Sequence, residues 1–497
     1  MTVRAHRPWP LRTLTAWSLA AVLLVSACQA GSGSPQPTGT PATAQPVVAD
    51  LTMSEDLRVA VESEAIHAHL DQLYAFAQAN NGIRAAGTRG HDLSVRYVAD
   101  LLDDAGYEVT LDEFTFPFFT ETAPSELTVV GGPTFAGGDH LRAMIFSASG
   151  DVTAPIVAVA LNPDGSTVGS AGCAASYWVE FPKGAVALAG PGGCISRRKV
   201  DQAITAGAAA LIVANPNWPV GEVRRPTLLD PAGVDIPAVA ASAQVGQVLR
   251  TVAADGGSVH VSVQTLIEDR VTSNVIAERV GAGPGPVADD VVMLGAHLDS
   301  VIDGPGINDN GSGTMTILEI ALQLAQREPV PRTVRFAFWT AEELGLYGSR
   351  HWVENQTTEE LARIVAYLNF DMLASPNDVR QVYGSPDAVA GDRAITADFG
   401  AYFEAVGLAW ETEDMGAVSD HAPFQDAGIP IGGLFSGATQ RKSAAQAVLF
   451  GGTAREPADR CYHLACDTPD RINLGALAQM SDAAAHVLMV LLLGGLD

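Results

Sequence analysis

Where the apolar runs of this chain stop, ionisable residues begin. Val291-Val-Met-Leu-Gly-Ala296 ends in His297-Leu298-Asp299-Ser300, Thr333-Val-Arg-Phe-Ala-Phe-Trp339 ends in Thr340-Ala341-Glu342-Glu343, and the run from Ile364 to Phe370 ends in Asp371. Between the first two lies Gly304-Pro-Gly-Ile-Asn-Asp309-Asn-Gly-Ser-Gly313, and a late His463 follows Tyr462. His297, Asp309, Glu343, Asp371 and His463 make a mixed imidazole and carboxylate set. Such donors suit zinc, and the absence of thiolate favours a site open to water over a closed structural one. Adjacent Glu342 and Glu343 point in different directions, so one can hold a metal while the other takes a proton from water that the metal acidifies. Each residue also has a plainer reading. Asp309 among glycines fits a turn, and an acidic pair fits the start of a helix, where the macrodipole favours it. The glycines of 304–313 lack the G-x-G-x-x-G order and the Gly-Lys-Ser/Thr of a phosphate cradle.

The elements that must position these groups follow from periodicity. Apolar residues recur at helical spacing over 63–80 (Ile66, Leu70, Leu73, Tyr74, Ala77) and again over 93–102, and 107–116 alternates like a strand. From about 126 to 262 the character changes to short Val/Ala/Ile runs separated by Gly/Pro clusters, with few ionisable groups suited to chemistry. This stretch reads as a second domain inserted into the first. From Ser273 onward strands and helices alternate, which predicts an α/β fold with parallel strands. Runs such as 291–296 are continuously apolar, as strands buried on both faces are. Three of them end in a ligand-type residue, at the sheet edge where ligands bind in open α/β folds.

The chain has 497 residues, a net charge of −27 and 17% charged residues, a globular composition long enough for two domains. With that acidity and only three lysines (Lys183, Lys199, Lys442), nucleic acid and a polybasic membrane contact are excluded as partners. Arg4, Arg7 and Arg12 precede an apolar run from Leu14 to Ala27. That run is shorter than the roughly 18 residues of a spanning helix, so it reads as a signal peptide. Leu24-Val25-Ser26-Ala27-Cys28 looks like the lipobox of bacterial lipoproteins. On that reading 1–28 is a leader, Cys28 carries the lipid, and 29–50, rich in Gly, Ser, Pro, Thr and Ala, is a flexible tether; the alternative is ordinary cleavage near Ala27 or Ala30. Cys173, Cys194, Cys461 and Cys466 remain and allow three disulfide pairings, one of them local. A competing zinc cluster of Cys461, His463 and Cys466 needs a fourth ligand and a reducing compartment, which the signal peptide denies.

The ordered strings GAHLDS (295–300), GINDNGSG (306–313), AEELGLYGS (341–349), NFDM (369–372) and CYHLACD (461–467) resemble the co-catalytic di-zinc aminopeptidases. That exported exopeptidase family includes glutamate carboxypeptidase and the glutaminyl cyclases. The resemblance covers roughly 60–125 and 265–497. It implies an α/β fold with a mixed, largely parallel sheet sandwiched by helices, formed by 51–125 and 263–497. The 126–262 insert resembles a β-rich protease-associated domain, on its strand pattern, Cys173 and Cys194, and Asp235-Ile236-Pro237-Ala238. Carried over by position, two zinc ions per chain are implied: His297 and Asp371 bind one, Glu343 and His463 the other, and Asp309 bridges both. Glu342 falls at the general base, Tyr462 at a tyrosine that polarises the substrate carbonyl, and Asp299 fits a carboxylate orienting the His297 imidazole. Cys461 and Cys466 match a disulfide that some members use to hold this loop. The implied activity is removal of N-terminal residues, apolar ones preferred, from peptide substrates by an exported protein that meets the membrane only through lipid on Cys28. The alternatives are a carboxypeptidase of the same family, a glutaminyl cyclase-like acyltransferase and a non-catalytic binding lipoprotein.

Overall fold

Val291–His297 is the pivot of the architecture. Thr333–Trp339 pairs parallel with it on one side and Ile364–Phe370 parallel on the other. The chain thus leaves through the Gly313–Ala325 helix, lays a strand on one flank, and then crosses to the opposite flank. Strand order reverses here, and the carboxyl edge of such a reversal opens a crevice in α/β sheets. Ile431–Phe435 extends the parallel set, Gln381–Tyr383 adds antiparallel to it, and Ser258–Arg279 lies antiparallel to Thr333–Trp339. These strands belong to one 14-stranded sheet in a computed structural model that describes residues 49–495. The leader, Cys28 and nearly all of the 29–50 tether lie outside the described residues.

The continuous apolar runs serve two cores at once. Val292, Leu294 and Ala296 face one, with Leu70, Leu73, Ile317, Phe399 and Leu488 from the covering helices. Val291 and Met293 face the other, with Trp339, Trp352, Tyr367 and Phe424. Because side chains alternate across a strand, an apolar residue at every position is what a strand between two helical layers requires. Leu474–Leu492, the one described helix long and apolar enough to cross a membrane, packs into the first of these cores.

The insert is carried by two 22-residue strands, Glu108–Val129 and Ser258–Arg279, paired antiparallel from Glu108↔Glu278 to Val129↔Val259. The boundaries at 126 and 262 fall inside this ribbon, not in linkers, because both strands continue from one layer to the next, with shifts of register between Glu121 and Glu126. Beyond it, Gly150–Ala158, Val186–Ala189, Ala210–Ala214 and Ala238–Ala241 pair parallel in that order. The helices Ser196–Ala206 and Ala243–Ala254 accompany them, so the insert is a small parallel α/β unit and not strands alone. Cys173 and Cys194 are disulfide-bonded within it. Its apolar core continues into the main domain through Ala341 and Leu344, which flank Glu342 and Glu343.

Candidate metal centre

His297 is the last residue of the central strand and is 1% exposed. Its Nδ1 lies 3.2 Å from the main-chain carbonyl of Asp299, which leaves Nε2 aimed at carboxylates: Asp309 Oδ1 at 3.4 Å, Asp371 Oδ1 at 3.6 Å and Glu342 Oε2 at 3.9 Å. A hydrogen bond on one ring nitrogen fixes the tautomer and frees the other to ligate. Here Nδ1–H donates that bond to the Asp299 carbonyl. The Asp299 carboxylate stands farther off, 3.8 Å from Nδ1, and accepts from the Glu342 N–H at 3.2 Å instead.

On the opposite side, His463 Nε2 lies 2.9 Å from Asp309 Oδ2 and 3.1 Å from Glu343 Oε2. Asp309 therefore turns one oxygen toward each imidazole. His297, Asp309 and Asp371 form one set of converging ligand atoms, and Asp309, Glu343 and His463 the second. Asp309 Oδ2, Glu343 Oε1 and Asp371 Oδ1 are buried and have no hydrogen-bond partner. Asp309 Oδ2 approaches His463 closely without hydrogen-bond alignment, as atoms aimed at a shared centre do. Buried polar atoms are otherwise partnered almost without exception, so this donor set fits a pair of divalent cations.

The electrostatics agree. Burial, reinforced by Asp420, Glu343 and Asp371, pushes the Glu342 carboxyl well above the ordinary carboxylate range. Burial also raises Glu343 to about 7, with Asp309 adding to the effect. Burial would lower His463, yet Glu343 and Asp309 raise it to about 10. Carboxylates crowded this closely need cations, and metal ions invert this local logic when they bind.

Local structure aims each group. Ala341 adopts φ 61°, ψ 33° at the end of its strand, turning the chain sharply so that Glu342 and Glu343 start the short Glu342–Gly345 helix at the sheet edge. A left-handed non-glycine residue at this point is the kind of local strain that functional sites hold. The peptide bond after Asp309 is cis. Asn310 ties this loop to the Asp371 strand end: its amide donates to the Phe370 carbonyl at 2.8 Å, and its Oδ1 accepts from Met372 N–H at 3.1 Å. Ser419 Oγ donates to Asp371 Oδ2 at 2.8 Å, leaving Oδ1 toward His297. Tyr462 stacks on the His463 ring, centroids 3.8 Å apart.

All eight residues singled out in the sequence converge here. The sequence reading missed others. Arg84 is fully buried and donates to the carbonyls of Pro305, Leu298 and Gly306, stapling the His297 and Asp309 loops together. Asp467 accepts from the N–H groups of Asn308 and Asp309 at 2.8 and 3.1 Å, and Asp459 accepts from the Asn308 amide and the Cys461 N–H. Cys461 and Cys466 form a disulfide between these two aspartates. Asp420 is buried with both carboxylate oxygens unpartnered, and burial pushes it up to about 7. Asn308, Asn310 and Asp467 lay inside motifs already noticed, so the signal existed; Arg84 had none.

The two ligand sets open into a cleft of about 880 Å³ between main domain and insert. Met415, Val418 and Phe435 line it from one side, Ile195, Trp218 and Leu229 from the other. Of the adjacent Leu434 and Phe435 at the end of strand Ile431–Phe435, Phe435 lines the cleft and Leu434 is core.

Comparison with known proteins follows the same division. Residues 274–488 match the model of peptidase family M28 and 152–249 that of the PA domain. The chain is 39% identical over 435 residues to an aminopeptidase of Pseudomonas aeruginosa, covering 84% of this chain and 78% of that protein. It is 40% identical over 450 residues to a probable lipoprotein aminopeptidase of Mycobacterium tuberculosis, covering 87% and 85%. A zinc aminopeptidase from Bacillus subtilis shares the fold, with a TM-score of 0.66, 24% identity and coverage of 86% and 94%. The chain belongs to peptidase family M28 and carries a PA domain within it.

Proposed function

We propose that this M28 peptidase is an exported aminopeptidase holding two zinc ions. His297 and Asp371 bind one ion, Glu343 and His463 the other, and Asp309 bridges them. The carrying observation is the single Asp309 carboxylate with one oxygen toward each imidazole. When bound, such an ion pair supplies Lewis acidity and brings the pKa of a water toward about 7. Glu342, near both sets but in neither, accepts the proton of the attacking water and hands it to the leaving amine. Tyr462 donates its hydroxyl toward the substrate carbonyl oxygen. Asp299 holds Glu342 through its main-chain N–H and the His297 ring through its own carbonyl. Glu413 and Asp414 at the cleft add negative charge that attracts a substrate ammonium. The apolar Met415, Val418 and Phe435 wall favours apolar first residues broadly, since one methylene discriminates by only about 1–3 kcal/mol.

The test compares leucyl, lysyl and glutamyl anilides with their N-acetylated forms and with C-terminally blocked dipeptides. Free-amine substrates are cleaved, leucyl fastest, and acetylation abolishes cleavage. Equal cleavage of acetylated substrates, or dependence on a free C-terminal carboxylate, transfers the protein to the carboxypeptidase reading. The two disulfides fit an oxidising compartment outside the cytoplasm. Anchoring at Cys28 is expected to bring the protein down with membranes, and Cys28→Ala is expected to abolish lipoprotein processing. Recovery of the mature wild type unacylated in the medium contradicts the anchor.

A further inference from the structure

One six-residue stretch of the insert, 224–229, contacts three of the loops that carry the centre. Arg224 Nε donates to the Tyr462 carbonyl at 2.9 Å, and its Nη2 donates to the Arg460 carbonyl at 3.1 Å. Arg225 pairs with Asp303, in the loop that follows His297, and with Glu121 of the ribbon, and it also donates to the Ala143 carbonyl. Thr227 Oγ1 donates to the carbonyl of Leu344, next to Glu343, at 3.0 Å. These contacts make the insert a wall that the centre leans on.

Arg224 and Arg225 are only 8% and 6% exposed. Arg224 donates to three main-chain carbonyls, those of Tyr462, Arg460 and, more weakly at 3.5 Å, Glu222, and to no carboxylate, an arrangement that fixes backbone. The backbone it fixes is unusual, since His463 follows directly with φ 59°. A left-handed histidine holds that conformation only when its surroundings impose it. Its ring nitrogen must meet Asp309 Oδ2 and Glu343 Oε2 together, so a small rotation of the 460–462 backbone moves it away from both.

We infer that Arg224 is a positioning residue through which the insert sets the 460–463 backbone and so the metal affinity of the Asp309, Glu343 and His463 set. The inference rests on the two-ion reading of the centre. Partners that orient metal ligands typically carry 10–100-fold in metal affinity or activity. The experiment uses the full-length protein, wild type against Arg224→Ala and Arg224→Lys, stripped of metal and titrated with zinc against a competing chelator. Amide hydrogen exchange of 459–467 is followed in the metal-free proteins.

Arg224→Ala is expected to bind one of its two zinc ions about 10–100-fold less tightly, to exchange faster over 459–467, and to lose kcat on leucyl anilide with KM nearly unchanged. Arg224→Lys, keeping the charge but not the planar fork that reaches both carbonyls, is expected to fall between. Arg197→Ala is the control on the same wall, because Arg197 donates to the carbonyls of Asp230 and Ala232 within the insert and does not reach 460–463. Wild-type zinc affinity and exchange in Arg224→Ala, or a change confined to KM, overturns the inference. If Arg224→Ala does not fold, an Arg224→Lys protein indistinguishable from wild type overturns it equally. A wild-type protein that binds no second zinc overturns the two-ion reading itself, and the two failures are told apart in the same titration.

Discussion

Glu342→Gln keeps the fold and two zinc ions yet turns over leucyl anilide about 10²–10⁴-fold more slowly, the range that general acid–base help is worth. The substitution is nearly isosteric and leaves both ligand sets untouched, since Glu342 belongs to neither. Its Oε2 stands 3.9 Å from His297 Nε2, close enough to share the reacting water. The N–H of residue 342 still donates to Asp299, so the turn after the strand keeps its support. What disappears is a carboxylate able to take a proton. Zinc content by elemental analysis and steady-state kinetics on one preparation check both halves. Turnover near wild type rejects the base, and loss of zinc makes Glu342 a ligand.

Asp309→Ala is expected to lose metal and rate together, with activity falling at least as far as in Glu342→Gln. The Asp309 carboxylate is the only one that belongs to both sets, so its removal takes a donor from each ion at once. Thermal unfolding supplies an independent reading. Zinc at 100 times its dissociation constant stabilises a native state by about 2.7 kcal/mol. The metal-stripped wild type therefore gains in Tm when zinc is restored, and Asp309→Ala gains little. Two tightly held ions in Asp309→Ala contradict the bridge.

His297, Glu342, Glu343 and Asp371 were legible in the sequence because each sits where an apolar run stops. The runs are continuous because the central strands are buried between two cores, and burial on both faces leaves its mark on every residue. Helix Ser63–Gln78 was legible for a related reason, since its buried face (Ile66, Leu70, Leu73, Ala77) repeats at helical spacing. The insert boundaries were harder. Glu108–Val129 crosses from one domain to the other as a single strand, so no linker in the sequence marks the crossing. Arg84 and Arg224 were invisible because they act through main-chain carbonyls, which every residue possesses. Asp299 was found but given the wrong atom: its carbonyl, not its carboxylate, meets the imidazole. Spacing identifies a residue near a histidine and says nothing of which of its oxygens faces the ring.

The central claim is two ions sharing Asp309, and anomalous diffraction at the zinc edge tests it most directly. Crystals of the zinc-loaded protein are expected to give two peaks about 3.5–4 Å apart, one between His297 and Asp371, the other between Glu343 and His463, with an Asp309 oxygen on each. A single peak, or two peaks with Asp309 bound to one ion only, contradicts the account.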